Sequence, residues 1–155
     1  MREPVARAQM LIHKGADEVF DAFARPDLLT QFWLHRSSGP LHAGAQVVWE
    51  FMVPGATEQV RVTAFDAPRQ IGFDWLEGQL HVEISLADFA AGSTTVSVAV
   101  SGFAAGDDRV AQVVNATEGF SIVLCDLKTL LESGRSAHLV RDKAVLIQHG
   151  PGPGP

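Results

Sequence analysis

The chain of 155 residues is long enough to bury a core of its own, and its 46% hydrophobic and 19% charged residues are typical of a globular domain. Twelve Lys and Arg against 18 Asp and Glu give a formal net charge of −6. This charge disfavours nucleic acid and anionic membranes as partners, because clustered basic side chains bind both. There is no apolar run of about 18 residues and no signal-peptide core, so we expect no membrane span. A single cysteine, Cys125, excludes an internal disulfide, and we expect a cytoplasmic protein.

The first third of the chain predicts one strand, two short helices and a loop. Residues 5–13 alternate loosely, which is typical of a strand. Helical spacing then begins near Asp17, a candidate N-cap, and stops at Arg25, because the residue before a proline is pushed out of the helical region. A second short helix is predicted over about 27–33, and the polar residues 34–43 predict a loop.

From Gly44 the hydrophobic period changes to two, which predicts about five antiparallel strands joined by turns. Leu80 to Leu86 is the clearest alternating segment. Each strand shows one apolar and one mixed face, as expected where one face of a sheet packs and the other meets water. The carboxylates predicted to lie on the solvated face are Glu50, Glu58, Asp74 and Glu83.

Helical spacing returns at about residue 109 and continues to 132, which predicts a helix about 36 Å long. Gly134 is well placed to cap its C-terminus. Residues 136–148 are compatible with a further short helix or with an extended arm, and the Gly/Pro tail 150–155 is predicted to be disordered. Strands bracketed by helices indicate an α+β fold with segregated layers rather than a parallel βαβ sheet.

Five segments in this order resemble a known family: ADEVFDAFARPDLLTQFW (16–33), HAGAQVVWEF (42–51), VRVTAFDAPRQIGFDW (60–75), TTVSVAVSGF (94–103) and EGFSIVLCDLKTLLESG (118–134). They resemble the START-like (SRPBCC) superfamily, and within it the small bacterial form of the family named after the activator of the heat shock protein 90 ATPase. The resemblance covers about residues 8 to 144. It implies the helix-grip fold, in which a curved antiparallel sheet wraps around a long C-terminal helix, as one START-like domain over residues 1–149.

The chain departs from the family pattern at two places. The family often has Gly-Trp near the start of the long helix, where this chain has Gly119 and Phe120. A proline usually follows soon after Trp33, where this chain continues Leu34-His35-Arg36. The first departure keeps an aromatic side chain in place, whereas the second affects the shape of the expected pocket mouth.

The titratable residues form no recognisable catalytic or metal-binding motif. The six histidines show no HExxH spacing and there is no CxxC, so we expect neither a metal nor a cofactor. Cys125 falls within the long helix and is interpreted as a buried or half-buried structural thiol. Glu50 is the one carboxylate for which an inward position is considered, because a β-bulge would turn it towards Trp49, with Arg61 as its partner across the hairpin.

An apolar cavity between the sheet and the long helix is the predicted binding site, because ligand pockets are mostly apolar with a few polar groups that fix orientation. The residues expected to line it are Phe32, Trp33, Trp49, Phe51, Phe73, Trp75, Val82, Ile84, Phe120, Val123, Leu124 and Leu127. The polar candidates at the pocket are His35, Glu50, Arg61 and Asn115. The same residues would also form a solid core, so the sequence leaves open whether the cavity is filled by side chains.

Three functions are compatible with these features. The first is binding of a small hydrophobic or amphipathic ligand, such as a lipid, a polyketide or an isoprenoid-like molecule. The resemblance implies a second, a co-chaperone-like domain that stimulates a heat shock protein 90 ATPase in a stress response. It also implies a third, a polyketide cyclase/dehydratase-like enzyme, which needs a titratable pair inside the pocket. Only Glu50, His35 and Arg61 qualify as members of that pair.

Overall fold

The computed structural model describes residues 3–149, which form seven strands and four helices. In chain order these are β1 (Ala6–Ile12), α1 (Ala16–Ala24), α2 (Pro26–Phe32), β2 (Leu34–Ser37), β3 (Gln46–Phe51), β4 (Thr57–Asp66), β5 (Gln70–Trp75), β6 (Leu80–Ala90), β7 (Ser93–Ser101), α3 (Arg109–Ser133) and α4 (Leu139–His149). The predicted disordered tail, 150–155, lies outside the described residues.

The strands form one antiparallel sheet in the order β1-β7-β6-β5-β4-β3-β2. Strands β2 to β7 are joined as a meander, and β1 completes the sheet by pairing with β7. Val82 on β6 lies opposite Phe73 on β5 and Val100 on β7, so that apolar side chains share one face of three neighbouring strands. This face curves around α3, which confirms the predicted α+β class and the antiparallel meander.

The long helix α3 has two different halves. Phe120, Val123, Leu124, Leu127 and Leu130 in its second half are buried in the core, and Gly134 ends the helix with a left-handed φ of 81°. In its first half the side chains of Val110 and Val114 are 74% and 59% exposed. Although no membrane span was expected, α3 is long and apolar enough to cross a membrane; core helices meet this criterion too, and the second half of α3 packs in the core.

Three local expectations differ from the structure. The predicted loop 34–43 contains β2, whose Leu34 lies opposite Phe51; a strand of four residues is defined by its pairing partner rather than by its own period. Helix α1 begins at Ala16 after Gly15, so Asp17 is inside the first turn instead of capping it. Cys125 is exposed rather than buried or half-buried, because it lies on the side of α3 that faces away from the sheet. Of the two alternatives left open for residues 136–148, a short helix or an extended arm, the structure has the helix, α4.

Candidate functional site

A cavity of about 560 Å³ lies between one end of the sheet, the first half of α3 and the inner side of α4. Its volume falls within the range of about 300–1,000 Å³ that is typical of small-molecule sites. Five aromatic side chains border it: Trp33, Phe51, Trp75, Phe103 and Phe120. The remaining lining residues are Met52, Val53, Gly78, Gln79, Leu80, Gly102, Ala104, Gln112, Asn115, Ala116, Gly119, Ile122, Val123, Val140, Lys143, Ala144 and Ile147.

The aromatic wall is built by mutual ring contacts. The rings of Trp75 and Phe120 are stacked, with centroids 5.7 Å apart and planes inclined by 18°, and Trp33 meets Phe120 edge to face at 5.5 Å. Behind them, Trp49 contacts Trp33 at 4.9 Å. The indole N–H groups of Trp49 and Trp75 are buried without an acceptor among residues 3–149, a cost that the surrounding packing must offset. The wall is therefore a connected set of aromatic rings.

Glu58 holds the turn between β5 and β6 at the rim of the cavity. Its carboxylate accepts hydrogen bonds from the backbone N–H groups of Glu77 at 3.0 Å and Gly78 at 2.8 Å. A Cβ atom at Gly78 would lie 2.9 Å from Glu58 Oε2, so glycine allows this close approach. The expectation that Glu58 lies on the solvated face was wrong: Glu58 is 9% exposed, because it shares the alternation of the buried Val60.

Asp126 fixes the connector that positions α4 as the outer wall. The Asp126 side chain is 1% exposed, and its two oxygens accept hydrogen bonds from the Ala137 backbone N–H at 2.8 Å and the Ser136 hydroxyl at 2.7 Å. Ala144 on α4 is buried, and Lys143 Nζ lies 3.0 Å from Glu118 Oε1 on α3. Helix α4 is thus held at its start by a buried carboxylate and along its length by packing and one ion pair.

The predicted site residues separate into three groups. Trp33, Phe51, Trp75, Phe120, Val123 and Asn115 border the cavity. Those that lie in the packed core outside the cavity lining are Phe32, Trp49, Phe73, Val82, Ile84, Leu124 and Leu127. The three titratable candidates His35, Glu50 and Arg61 do not border it.

The pairing considered between Glu50 and Arg61 does not form. Glu50 binds Arg36 Nε at 2.9 Å, whereas Arg61 binds Asp74 at 3.0 Å. Both ion pairs are partly exposed, and His35 is exposed on β2. Arg36 lies opposite Glu50 because residues 34–37 form strand β2, where the sequence pattern predicts a loop.

Sequence reasoning missed the contribution of α4 to the cavity. Val140, Ala144 and Ile147 border it from one side of this helix, with Lys143 beside them. Their spacing of three and four residues is the signal that could have identified them. The turn residues Gly78 and Gln79 carried no comparable signal.

Asp74, His81 and Glu83 form a charged cluster on the outer face of the sheet. His81 Nδ1 lies 2.7 Å from Asp74 Oδ1, and Nε2 lies 2.7 Å from Glu83 Oε1. Desolvation by itself would lower the pKa of His81, but the hydrogen bonds to the two carboxylates outweigh it and raise this pKa. The hydrogen bond from His81, together with Arg61, lowers the pKa of Asp74. Within residues 3–149, no three His, Cys, Asp or Glu side chains are grouped as a metal site would require.

Several solved structures share this fold. A Staphylococcus saprophyticus protein, SSP2350, is 23% identical with a TM-score of 0.76, over 86% of this chain and 95% of that one. The Aha1 protein of Colwellia psychrerythraea, solved as a dimer, is 18% identical with a TM-score of 0.74, over 86% and 99%. DynU16, a protein of the dynemicin biosynthetic locus, is 20% identical with a TM-score of 0.74, over 85% of this chain and 48% of that one. At these identities the likeness shows the fold alone, which is the expected helix-grip fold.

The sequence comparisons define the family. No curated protein sequence matches the chain significantly. The family model described as Activator of Hsp90 ATPase homolog 1-like protein matches residues 15–132, from the start of α1 to the end of α3. Because this match spans well over half of the chain and agrees with the resemblance seen in the sequence, the chain belongs to the Activator of Hsp90 ATPase homolog 1-like protein family.

Proposed function

We propose that this domain binds a small hydrophobic or amphipathic molecule, of the lipid, polyketide or isoprenoid-like kind, in the cavity between the sheet end, α3 and α4. The observation that carries the proposal is the cavity of about 560 Å³ with its wall of Trp33, Trp75 and Phe120. When the apolar surface of a ligand packs against such a wall, it is removed from contact with water. This removal stabilises a complex by about 25 cal/mol for each Å² buried.

The walls of the cavity are also pre-formed. Glu58 fixes the β5–β6 turn and Asp126 fixes the connector before α4, each through two hydrogen bonds. A site that is ordered before binding loses less conformational entropy when the ligand enters. This arrangement supports a binding site rather than a gap left by imperfect packing.

A cavity-filling variant tests the proposal. Gly119 borders the cavity, and a Cβ atom there would meet nothing within 4 Å. Gly119→Leu should place its side chain in the cavity while stabilising α3, because glycine costs a helix interior about 1 kcal/mol. We expect the neutral fluorophore phenylnaphthylamine to bind the wild type, with energy transfer from tryptophan, and to bind this variant at least about tenfold more weakly.

Ala111→Leu provides the matched control, because Ala111 lies on the exposed side of α3 outside the cavity lining. Its affinity for phenylnaphthylamine should equal that of the wild type. Equal binding by Gly119→Leu and wild type would place the fluorophore elsewhere, and no binding by the wild type would remove this cavity as its site.

Family membership supports a second candidate, a co-chaperone-like interaction with a heat-shock ATPase in the cytoplasm. The measurement that separates the two is the rate of ATP hydrolysis by purified Hsp90 with and without the domain. Stimulation that persists in Gly119→Leu would assign the interaction to a surface other than the cavity. An unchanged rate would remove this candidate.

A further inference from the structure

The charge of the cavity lining differs from that of the whole chain. The protein carries a formal net charge of −6, yet within residues 3–149 no Asp or Glu borders the cavity and Lys143 is the single charged residue that does. The neutral polar residues Gln79, Gln112 and Asn115 border it as well. The cavity therefore combines an apolar aromatic wall with one positive charge and three amide residues.

Lys143 is available to a further partner. Its side chain is 36% exposed, and its Nζ is 3.0 Å from Glu118 Oε1, whose own side chain is 55% exposed and outside the cavity lining. An ammonium group carries three N–H donors, so a single carboxylate contact leaves donors free for another acceptor. Lys143 borders the cavity, so its charge lies beside the apolar site.

We propose that the ligand is an amphipathic acid, with its apolar body against Trp33, Trp75 and Phe120 and its single carboxylate bound by Lys143. This inference rests on the proposed function and specifies the class of ligand at the same site. A carboxylate gains a charge-assisted hydrogen bond from the ammonium group. An ammonium head on the same body meets Lys143 with like charge, and a hydroxyl head carries no charge that could form an ion pair with it.

Three ligands of equal chain length test the head group. Decanoic acid, decanol and decylamine are titrated against the phenylnaphthylamine complex at neutral pH, and displacement gives their affinities. We expect the acid to bind about fivefold more tightly than the alcohol, which corresponds to about 1 kcal/mol for a partly exposed pair, and the amine to bind least tightly.

Two variants change the two charges separately. Lys143→Met keeps the apolar stem and should lower the affinity for decanoic acid about fivefold, to that of decanol. Glu118→Gln removes the carboxylate that competes for Lys143 and should raise the affinity for the acid about twofold. Neither variant should alter decanol binding. Arg141→Met is the matched control, because it removes a cation from α4 outside the cavity lining and should leave all three affinities unchanged.

The outcomes separate this inference from the proposed function. Equal affinities for acid and alcohol, or unchanged acid binding in Lys143→Met, overturn the assignment of an acidic ligand while binding in the cavity stands. Tighter binding of the amine than of the acid would also overturn the assignment of an acidic ligand and leave binding in the cavity standing. If phenylnaphthylamine and all three decyl compounds fail to bind the wild type, the proposed function fails and this inference fails with it.

Discussion

Substitution of Asp126 should detach α4 from the fold. Asp126→Ala removes the two hydrogen bonds that the buried carboxylate accepts from Ala137 N–H and the Ser136 hydroxyl. Hydrogen bonds to a charged group contribute about 1.5–3 kcal/mol each, but water can replace part of this at a connector near the surface. We therefore expect a loss of about 2–3 kcal/mol in the free energy of unfolding, or about 5–10 °C in Tm for a chain of this length.

The assay is urea denaturation combined with amide hydrogen exchange. Exchange should accelerate in α4 (Leu139–His149) more than in β6 or β7, because only α4 depends on the connector. Ser136→Ala is the graded control: it removes one of the two bonds to Asp126, together with the bond that the Ser136 hydroxyl accepts from His138 N–H, and should cost about 1–2 kcal/mol. If Asp126→Ala unfolds within about 0.5 kcal/mol of the wild type and α4 exchanges as before, the carboxylate does not hold this helix.

Two further predictions concern the sheet and the core. Because the folded-state pKa of His81 is raised, its stabilising contribution is complete below its ordinary pKa of about 6.5 and is lost as the pH rises through the raised value. The pKa of Asp74 is lowered, so its effect on stability has the opposite pH dependence. The stabilisation from Asp74 is present above the ordinary pKa of an aspartate and is lost on acidification. Denaturation curves of wild type and His81→Gln should therefore differ most at mildly acidic pH and converge at alkaline pH, and a constant difference would contradict the pairing. Leu127 is completely buried, and Leu127→Ala should lower the free energy of unfolding by about 3–5 kcal/mol. Val114→Ala, on the exposed face of α3, should lower it by less than about 0.5 kcal/mol. Similar losses in both variants would mean that Leu127 is not a core residue.

The local patterns predicted most of the fold. Alternation over residues 80–86 and 94–100 predicted β6 and β7 with their apolar faces inward, because side chains on a strand point to opposite faces with a period of two. The helical period over 109–132 predicted α3, and Gly134 predicted its end. These signals depend only on residues that are neighbours in the chain, so the order of the elements and the α+β class follow from the sequence.

The cavity was predicted less completely, because its walls depend on residues distant in sequence. Glu58 is buried because its carboxylate accepts hydrogen bonds from backbone N–H groups 19 and 20 residues further along the chain. These groups lie in a turn whose position depends on the pairing of β4 with β5. Lys143 reaches the cavity since Asp126 holds the connector before α4. The residue periods carry no information on either contact.

The aromatic residues show the same division between local and tertiary information. The alternating pattern placed Trp49 and Trp75 on one apolar face, yet Trp49 is completely buried in the core whereas Trp75 borders the cavity. The two tryptophans have the same hydrophobicity and the same place in the alternating pattern, so the sequence does not distinguish them. The residue pattern is enough to predict that a sheet packs on a long helix with aromatic side chains between them. The boundary between packed core and open volume follows from the folded chain alone, because it depends on how side chains from separate elements fill the space between them.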